Sequence, residues 1–438
     1  TVVHYGVRSQ SRRKNRAMKL HAVKPEPPRV LAIAVQTPKQ TDAEIEHSLG
    51  ELGELLKTLG AEMVGTLIQK RDKAMRANYF GSGKVQEVKE MAEKLDAEYI
   101  AADDELSALQ IKTIEAETGL PVKDRTSIII DIFAKHASTK EGKLQVELAM
   151  HQYQLPRLLR MWTHLERQRG GIGLKGPGET QLETDRRILN LKIKKLNEEL
   201  EKVAKTREQQ GKQRVDRFAP LFSLVGYTNA GKSTLLNKLS GSDVKMCNGL
   251  FTTLDPTARR IELPGSHWCI LSDTVGFIRK LPHGLVDAFK ATLESVVQSE
   301  VLLLVSDVSD PQFREHLKAV EEVLKQIGAA KHERIYVFNK IDRGLSVSEE
   351  LLKAAYPDCI LLSALTGENI GALQNRIESV MCRNRRNVEI ELPVGSPYIG
   401  DAMKIGRIFS QEWGEGFVKI KAELPVTFLK AIEPYLRK

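Results

Sequence analysis

Apolar positions along the chain fall into two alternating patterns. Val30-Leu-Ala-Ile-Ala-Val35 is a short unbroken apolar run that reads as a buried strand, and Met63 to Ile68 and Tyr99-Ile-Ala-Ala102 read as a second and a third strand. Between and after them apolar residues recur every three to four positions, which predicts helices over Thr41 to Leu59, Gly83 to Leu95 and Ser107 to Thr118. Gly60 can close the first helix, and Gly119 with Pro121 ends the third. Strands alternating with helices of this length imply a parallel sheet with right-handed crossovers, hence a small α/β domain over 29–135. Gly81-Ser-Gly-Lys84 lacks the full spacing of a phosphate loop and reads as a turn that opens a helix.

The pattern then changes. Leu148, Leu155 and Trp162 recur at seven residues, as do Leu182, Leu189, Leu196 and Val203, with Ile193 and Leu200 filling a helical stripe. Between the two series lies Gly170-Gly-Ile-Gly-Leu-Lys-Gly-Pro-Gly178, five glycines and a proline in nine residues, which cannot be a regular helix or a central strand. The expectation is an antiparallel helical hairpin over 136–217 with a glycine-rich tip at 170–178. Its stripe packs the two arms together, and Pro156 should kink or interrupt the first arm. A third domain is expected over 218–381. Beyond it Val388-Glu-Ile-Glu-Leu392 and Phe417 to Leu424 alternate like strands, giving a small α+β domain over 382–438. The fold class is therefore α/β multidomain, in keeping with 438 residues at roughly 100–200 per domain.

Charge adds a partner to this picture. The chain carries 66 Lys and Arg against 57 Asp and Glu, a net of +9. Residues 1–29 hold eight basic side chains and one acid, and 157–217 hold sixteen and nine, so each segment carries +7 and the remainder −5. A basic flexible tail over 1–28, and hairpin arms bearing Arg186, Arg187, Lys192, Lys194 and Lys195, suit a polyanion such as nucleic acid. From charge alone a solvated charged helix is the equal alternative. Cys247, Cys269, Cys359 and Cys382 lie far apart and the ten histidines are scattered, so neither disulfides nor a protein-built transition-metal site is expected. The longest apolar runs, such as Val301 to Val305, fall far short of the roughly 18–20 residues that span a bilayer. No apolar leader core follows the start, and the tail has a poor amphipathic pattern for a transit peptide. The chain reads as a soluble cytoplasmic protein with no integral membrane association.

The chemistry is concentrated in the third domain. Leu221-Phe-Ser-Leu-Val225 is a buried strand running into Gly226-Tyr-Thr-Asn-Ala-Gly-Lys-Ser233, which satisfies GxxxxGK[ST], and a helix starts at Thr234. Here Gly226, Tyr227, Thr228, Asn229, Ala230 and Gly231 form a loop whose backbone N–H groups, with the helix N-terminus, supply a positive field for phosphate. Lys232 can reach the β- and γ-phosphates, Ser233 can ligate Mg²⁺, and Thr234 continues the cradle. Ile270-Leu-Ser-Asp-Thr-Val-Gly276 is a strand ending in DxxG, where Asp273 can hold Mg²⁺ through water and the Gly276 N–H can sense the γ-phosphate. Asn339-Lys340-Ile-Asp342 follows another strand, and the Asp342 carboxylate can accept from guanine N1–H and its 2-amino group, a donor pair that adenine lacks. Ser363-Ala364-Leu365 fits the last loop near the base. Four such motifs in order, each at the carboxyl end of a strand, resemble the translation-factor-like P-loop GTPases, which bind GTP and GDP with Mg²⁺. In that class a switch threonine completes the Mg²⁺ shell; within Leu250-Phe-Thr-Thr-Leu-Asp-Pro256, Thr253 is the choice and Thr252 the fallback.

Two departures bear on catalysis, for which Lys232, Thr253, Gly276 and Asn229 are the candidates. Phe277 stands where Ras-like GTPases place the glutamine that orients water, so intrinsic hydrolysis should be slow. Asn229 resembles the asparagine of potassium-dependent GTPases and could help hold K⁺ beside the phosphates.

With these residues identified, the chain resembles the HflX-type GTPases. The decisive match is Gly170-Gly-Ile-Gly-Leu-Lys-Gly-Pro-Gly-Glu-Thr-Gln-Leu-Glu-Thr-Asp-Arg187, supported by the phosphate loop, Phe251-Thr-Thr-Leu-Asp-Pro256, Asp273-Thr-Val-Gly-Phe277 and Leu281-Pro-His-Gly284. The likeness spans roughly 29–383, and Phe277 also matches that family's apolar residue. It implies a bacterial factor that binds the large ribosomal subunit and, in its GTP form, dissociates stalled or idle ribosomes. The N-terminal domain and hairpin would engage ribosomal RNA, with the glycine tip near the peptidyl-transferase centre. A narrow tip of little side-chain bulk suits a confined RNA site, while basic arms neutralise phosphates; a plain interhelix linker is the alternative. A rival is a nucleotide-gated RNA-binding or anti-association factor whose hydrolysis is incidental. A second is a tRNA-modification GTPase, suggested by Asn229, for which no flavin-binding or C-terminal cysteine motif is seen.

Overall fold

The first apolar run becomes strand β1 (Arg29–Gln36), buried from Val30 onward because both of its faces are covered. In the computed structural model residues 26–161, 177–213, 219–241, 250–251, 257–265, 267–280 and 293–435 are described. Strand β1 pairs in parallel with β2 (Glu62–Lys70) on one side and β3 (Tyr99–Ala102) on the other, and β3 pairs with β4 (Val122–Asp124), giving the order β2-β1-β3-β4. Helix α1 (Asp42–Leu59) starts at a capping box between Thr41 and Glu44 and stops at Gly60, whose φ of 90° is the left-handed conformation glycine permits. Helix α2 (Ser82–Lys94) is entered through Gly81, so that glycine-rich turn does open a helix. After α3 (Ala108–Thr118) come two elements absent from the sequence reading, β4 and α4 (Arg125–His136). The chain leaves β1 for one side of the sheet and returns on the other. The carboxyl ends of β1 and β3 therefore form the crevice where doubly wound sheets place their ligands.

Helices α5 (Lys140–Met161) and α6 (Pro177–Gln213) pack through Leu144, Leu148 and Leu196, with Ile193, Leu200 and Val203 against them. Pro156, expected to kink or interrupt the first arm, does not interrupt it: α5 runs through it. Contacts on either side hold the backbone helical, the Tyr153 hydroxyl donating to Asp124 at 2.8 Å and Arg157 to Asp124 at 2.9 Å and to the Leu106 carbonyl at 2.7 Å. Pro177 and Gly178, read as part of the tip, form the start of α6, where proline lacks no needed N–H. The rest of the tip lies outside the described residues.

The third sheet region has the order β10-β9-β8-β5-β7-β6. Strands β5 (Leu221–Gly226), β7 (Trp268–Asp273), β8 (Val301–Asp307), β9 (Glu333–Asn339) and β10 (Ile360–Leu361) are parallel, and β6 (Thr257–Glu262) runs against β7. The loop after β5 leaves the sheet between β7 and β8, the second topological switch point of the molecule. The C-terminal sheet, β11 (Arg385–Pro393), β13 (Phe417–Pro425) and β12 (Arg407–Trp413), is antiparallel in the order β11-β13-β12. Strand β12 went unread because it is exposed along nearly its whole length and carries no apolar alternation. Among the described residues no helix is long and apolar enough to cross a membrane.

A shared apolar layer joins the first and third regions. Ile129 and Phe133 of α4 belong to one buried cluster with Leu250, Phe251, Val275 and Ile278. Phe133 meets Phe251 edge-on at 4.7 Å, and the Leu250 N–H donates to the Thr58 hydroxyl at 3.1 Å.

Candidate nucleotide site

Strand β5 delivers Gly226, and the helix Lys232–Ser240 begins after Gly231, whose φ of 91° again requires glycine. The Lys232 ammonium folds back across the loop, donating to the Gly226 carbonyl at 3.1 Å and the Tyr227 carbonyl at 2.8 Å. Burial away from water lowers its pKa to about 8. The Ser233 hydroxyl donates to Asp273 Oδ2 at 2.6 Å, so the two oxygen ligands proposed from sequence meet at the end of β7. Asn229 is exposed at φ 58° on the outer turn of the loop. Ala230 is buried and Thr234 half-buried behind it.

The DxxG segment lies directly on the loop. The Thr228 N–H donates to the Phe277 carbonyl at 2.7 Å and the Phe277 N–H to the Gly226 carbonyl at 3.1 Å. The Phe277 ring turns away from this surface into a core with Val225, Leu304 and Phe313. It therefore offers nothing to orient water, as the sequence suggested.

At the carboxyl end of β9, Asn339 ties three loops together. Its Nδ2 donates to the Ala230 carbonyl at 2.8 Å, and its Oδ1 accepts from the Ala364 N–H at 2.9 Å. Lys340, at φ 68°, donates to Asp307 at 2.7 Å. The Ser363 hydroxyl donates to Asp342 Oδ1 at 2.5 Å and fixes that carboxylate at the mouth of the site, while the Leu365 side chain is exposed. Sequence motifs spread over about 140 residues thus converge. Thr252, Thr253 and Leu281 to Gly284 lie outside the described residues.

Family models match along the chain: "GTP-binding GTPase N-terminal" at 46–134, "GTP-binding GTPase Middle Region" at 136–214 and "50S ribosome-binding GTPase" at 222–340. The GTPase HflX of Caldanaerobacter subterraneus subsp. tengcongensis is 44% identical over 382 residues, 87% of this chain and 88% of the relative. The chain belongs to the HflX family of GTPases. The Escherichia coli GTPase HflX is 41% identical over 390 residues, 88% of this chain and 91% of its own length. A GTP-binding protein from Sulfolobus solfataricus, solved with GDP, aligns with 80% of this chain and 98% of its own at 24% identity and a TM-score of 0.43.

Within this HflX-family chain, sequence reasoning missed what the Tyr227 side chain does. Its ring points out of the phosphate loop toward the N-terminal domain, stacking on His316 with centroids 3.9 Å apart and planes at 12°. Its hydroxyl donates to Glu51 Oε1 at 2.5 Å, and Glu51 Oε2 accepts from the fully buried Arg125 at 2.7 Å. Arg125 also donates to Asp103 at 2.7 Å, and Lys280 spans to Asp103 at 2.5 Å and Asp104 at 2.7 Å. His47 and His316, distant in sequence, meet Nε2 to Nε2 at 3.3 Å. None of this has a sequence signal, since each residue is an ordinary surface type on its own element.

Burial opposes ionisation of Glu51, but His47 at 3.7 Å, the Arg125 charge and the Tyr227 hydrogen bond outweigh it and hold its carboxyl down to about 2. Burial, then the Glu51 carboxylate, raises the Tyr227 phenol well above its usual value, so it stays a donor. A carboxyl depressed below its ordinary 4.5 binds fewer protons folded than unfolded. Its stabilisation is complete above about pH 4.5 and is lost as pH falls toward 2. Denaturant titrations at pH 7, 5, 4 and 3 should show this loss in the parent. Glu51→Gln should be less stable at pH 7 yet flatter across the acid window, and parallel pH curves would contradict the assignment.

Proposed function

We propose that the chain is a ribosome-associated GTPase that binds the large ribosomal subunit and dissociates stalled or idle ribosomes in its GTP form. The observation that carries this reading is the shared apolar layer. Phe251, at the entrance to the Thr253 segment, and Val275 with Ile278, beside Gly276, all pack against the N-terminal domain. A γ-phosphate that orders Thr253 and Gly276 would therefore be felt by the domain that leads into the basic hairpin. The loop residues 226–234, with Lys232, would bind the phosphates, and Asp342 with Asn339, Lys340 and the Ser363-Ala364-Leu365 loop would select guanine. Ser233 and Asp273 present hard oxygen donors of the kind Mg²⁺ prefers, with Thr253 as the switch ligand. When bound, that ion neutralises charge developing on the phosphates. Phe277 leaves water unoriented, so activation would come from the ribosome, with K⁺ held beside Asn229 aiding the phosphate loop.

Multiple-turnover GTP hydrolysis, measured with and without large subunits in sodium or potassium buffer, tests this. Large subunits should raise turnover at least about tenfold, by completing the charge stabilisation that the isolated site lacks. Potassium should exceed sodium. Turnover indifferent to large subunits would overturn the ribosomal reading and leave guanine binding standing; equal rates in the two salts would remove K⁺.

A further inference from the structure

We propose that Tyr227 is a positioning residue for GTP hydrolysis, holding the DxxG segment in register with the phosphate loop on behalf of the N-terminal domain. This rests on the GTPase reading above and adds a residue whose side chain touches neither phosphate nor base.

Tyr227 grips the segment after Gly276 at two points. Its backbone neighbours do so first, through the Phe277 N–H donating to the Gly226 carbonyl and the Thr228 N–H donating to the Phe277 carbonyl. Its side chain then curls back, and the hydroxyl accepts from the Arg279 N–H at 2.7 Å. Residues 277–279 are thus pinned at both ends to residues 226–228 of the phosphate loop, the far end through the Tyr227 side chain. The hydroxyl's own proton goes to Glu51, so a buried O–H with one donor and one acceptor partner joins two domains and a catalytic segment. The next residue, Lys280, is seated between Asp103 and Asp104 at the carboxyl end of β3. That is the crevice where a doubly wound sheet would take a ligand, and here it receives an ammonium from the GTPase domain. The N-terminal domain therefore holds two consecutive residues, Arg279 through Tyr227 and Lys280 directly. Their placement fixes where the Gly276 N–H points.

A hydroxyl serving only as interdomain glue would affect stability and nothing else. A positioning hydroxyl separates the two nucleotides, because GDP does not reach Gly276. Tyr227→Phe keeps the ring, its stacking on His316 and its packing, and removes only the hydroxyl. The expected result is a fall in kcat for GTP of about tenfold, the scale of one hydrogen bond to a buried group, with GDP affinity within about twofold of the parent. Lys280→Met should lower kcat in the same direction and also leave GDP binding intact. Thermal unfolding and GDP titration of both variants establish that each is folded. Unchanged kcat in a folded Tyr227→Phe overturns the proposal, as does loss of GDP affinity equal to the loss of kcat, which would mark a general collapse of the loop. If the parent itself failed to hydrolyse GTP, the functional reading would fall first, and that outcome is visible separately.

Discussion

Asp342→Asn should lower GTP and GDP affinity by about 10²–10³-fold and turn the site toward xanthosine nucleotides. The carboxylate can accept two hydrogen bonds from guanine, each charge-assisted and worth about 1.5–3 kcal/mol. An amide retains one acceptor and turns its N–H₂ toward guanine's 2-amino group, donor against donor. Xanthine carries a carbonyl at that position and can accept from the new amide. The frame survives the change: Ser363 donates to Asp342 Oδ1, and Asn339 holds Ala230 and Ala364 whatever residue 342 becomes. The substitution therefore alters recognition without moving the loop. Competition of GDP, XDP and ADP against a fluorescent guanine nucleotide measures it. Unaltered GDP affinity in the variant would remove Asp342 from base recognition.

The phosphate and base loops were legible in the sequence for a physical reason. Each needs a fixed residue type at a fixed spacing, because backbone N–H groups, a lysine and a carboxylate must meet one ligand. Buried strands such as β1 and β5 were legible because covering both faces demands a nearly unbroken apolar run. Strand β12 was not, being solvated on nearly all sides. Nor did Pro156 interrupt its helix, which Tyr153 and Arg157 anchor on both sides of it. Least visible was the polar seam. Glu51, Asp103, Arg125, Lys280 and His316 occupy separate elements, and only the fold makes them neighbours. Arg125 shows why composition misleads here: a charge expected at the surface is fully buried because two carboxylates, on α1 and after β3, turn toward it.

Gly276→Ala should abolish most hydrolysis while sparing GDP. A Cβ at this position would sit 2.9 Å from the Thr228 Cα and 3.0 Å from Lys232 Nζ. The lysine can swing, but the Thr228 backbone cannot, since its N–H is bonded to Phe277. The added methyl must therefore lift the DxxG strand off the loop by a few tenths of an ångström. Alanine meets no backbone penalty, because Gly276 does not have a positive φ; contact alone is at issue. A displaced Gly276 N–H no longer meets the γ-phosphate, and losing one preorganised donor to a reacting oxyanion typically costs about 10²–10³ in kcat. GDP lacks that phosphate and should bind within about threefold of the parent. Gly226→Ala is the instructive contrast: its Cβ would lie 2.1 Å from the Val305 carbonyl oxygen, inside the sheet, and should prevent folding rather than catalysis. A Gly276→Ala protein that binds GDP and hydrolyses GTP at the parental rate would show that this N–H plays no part in the reaction.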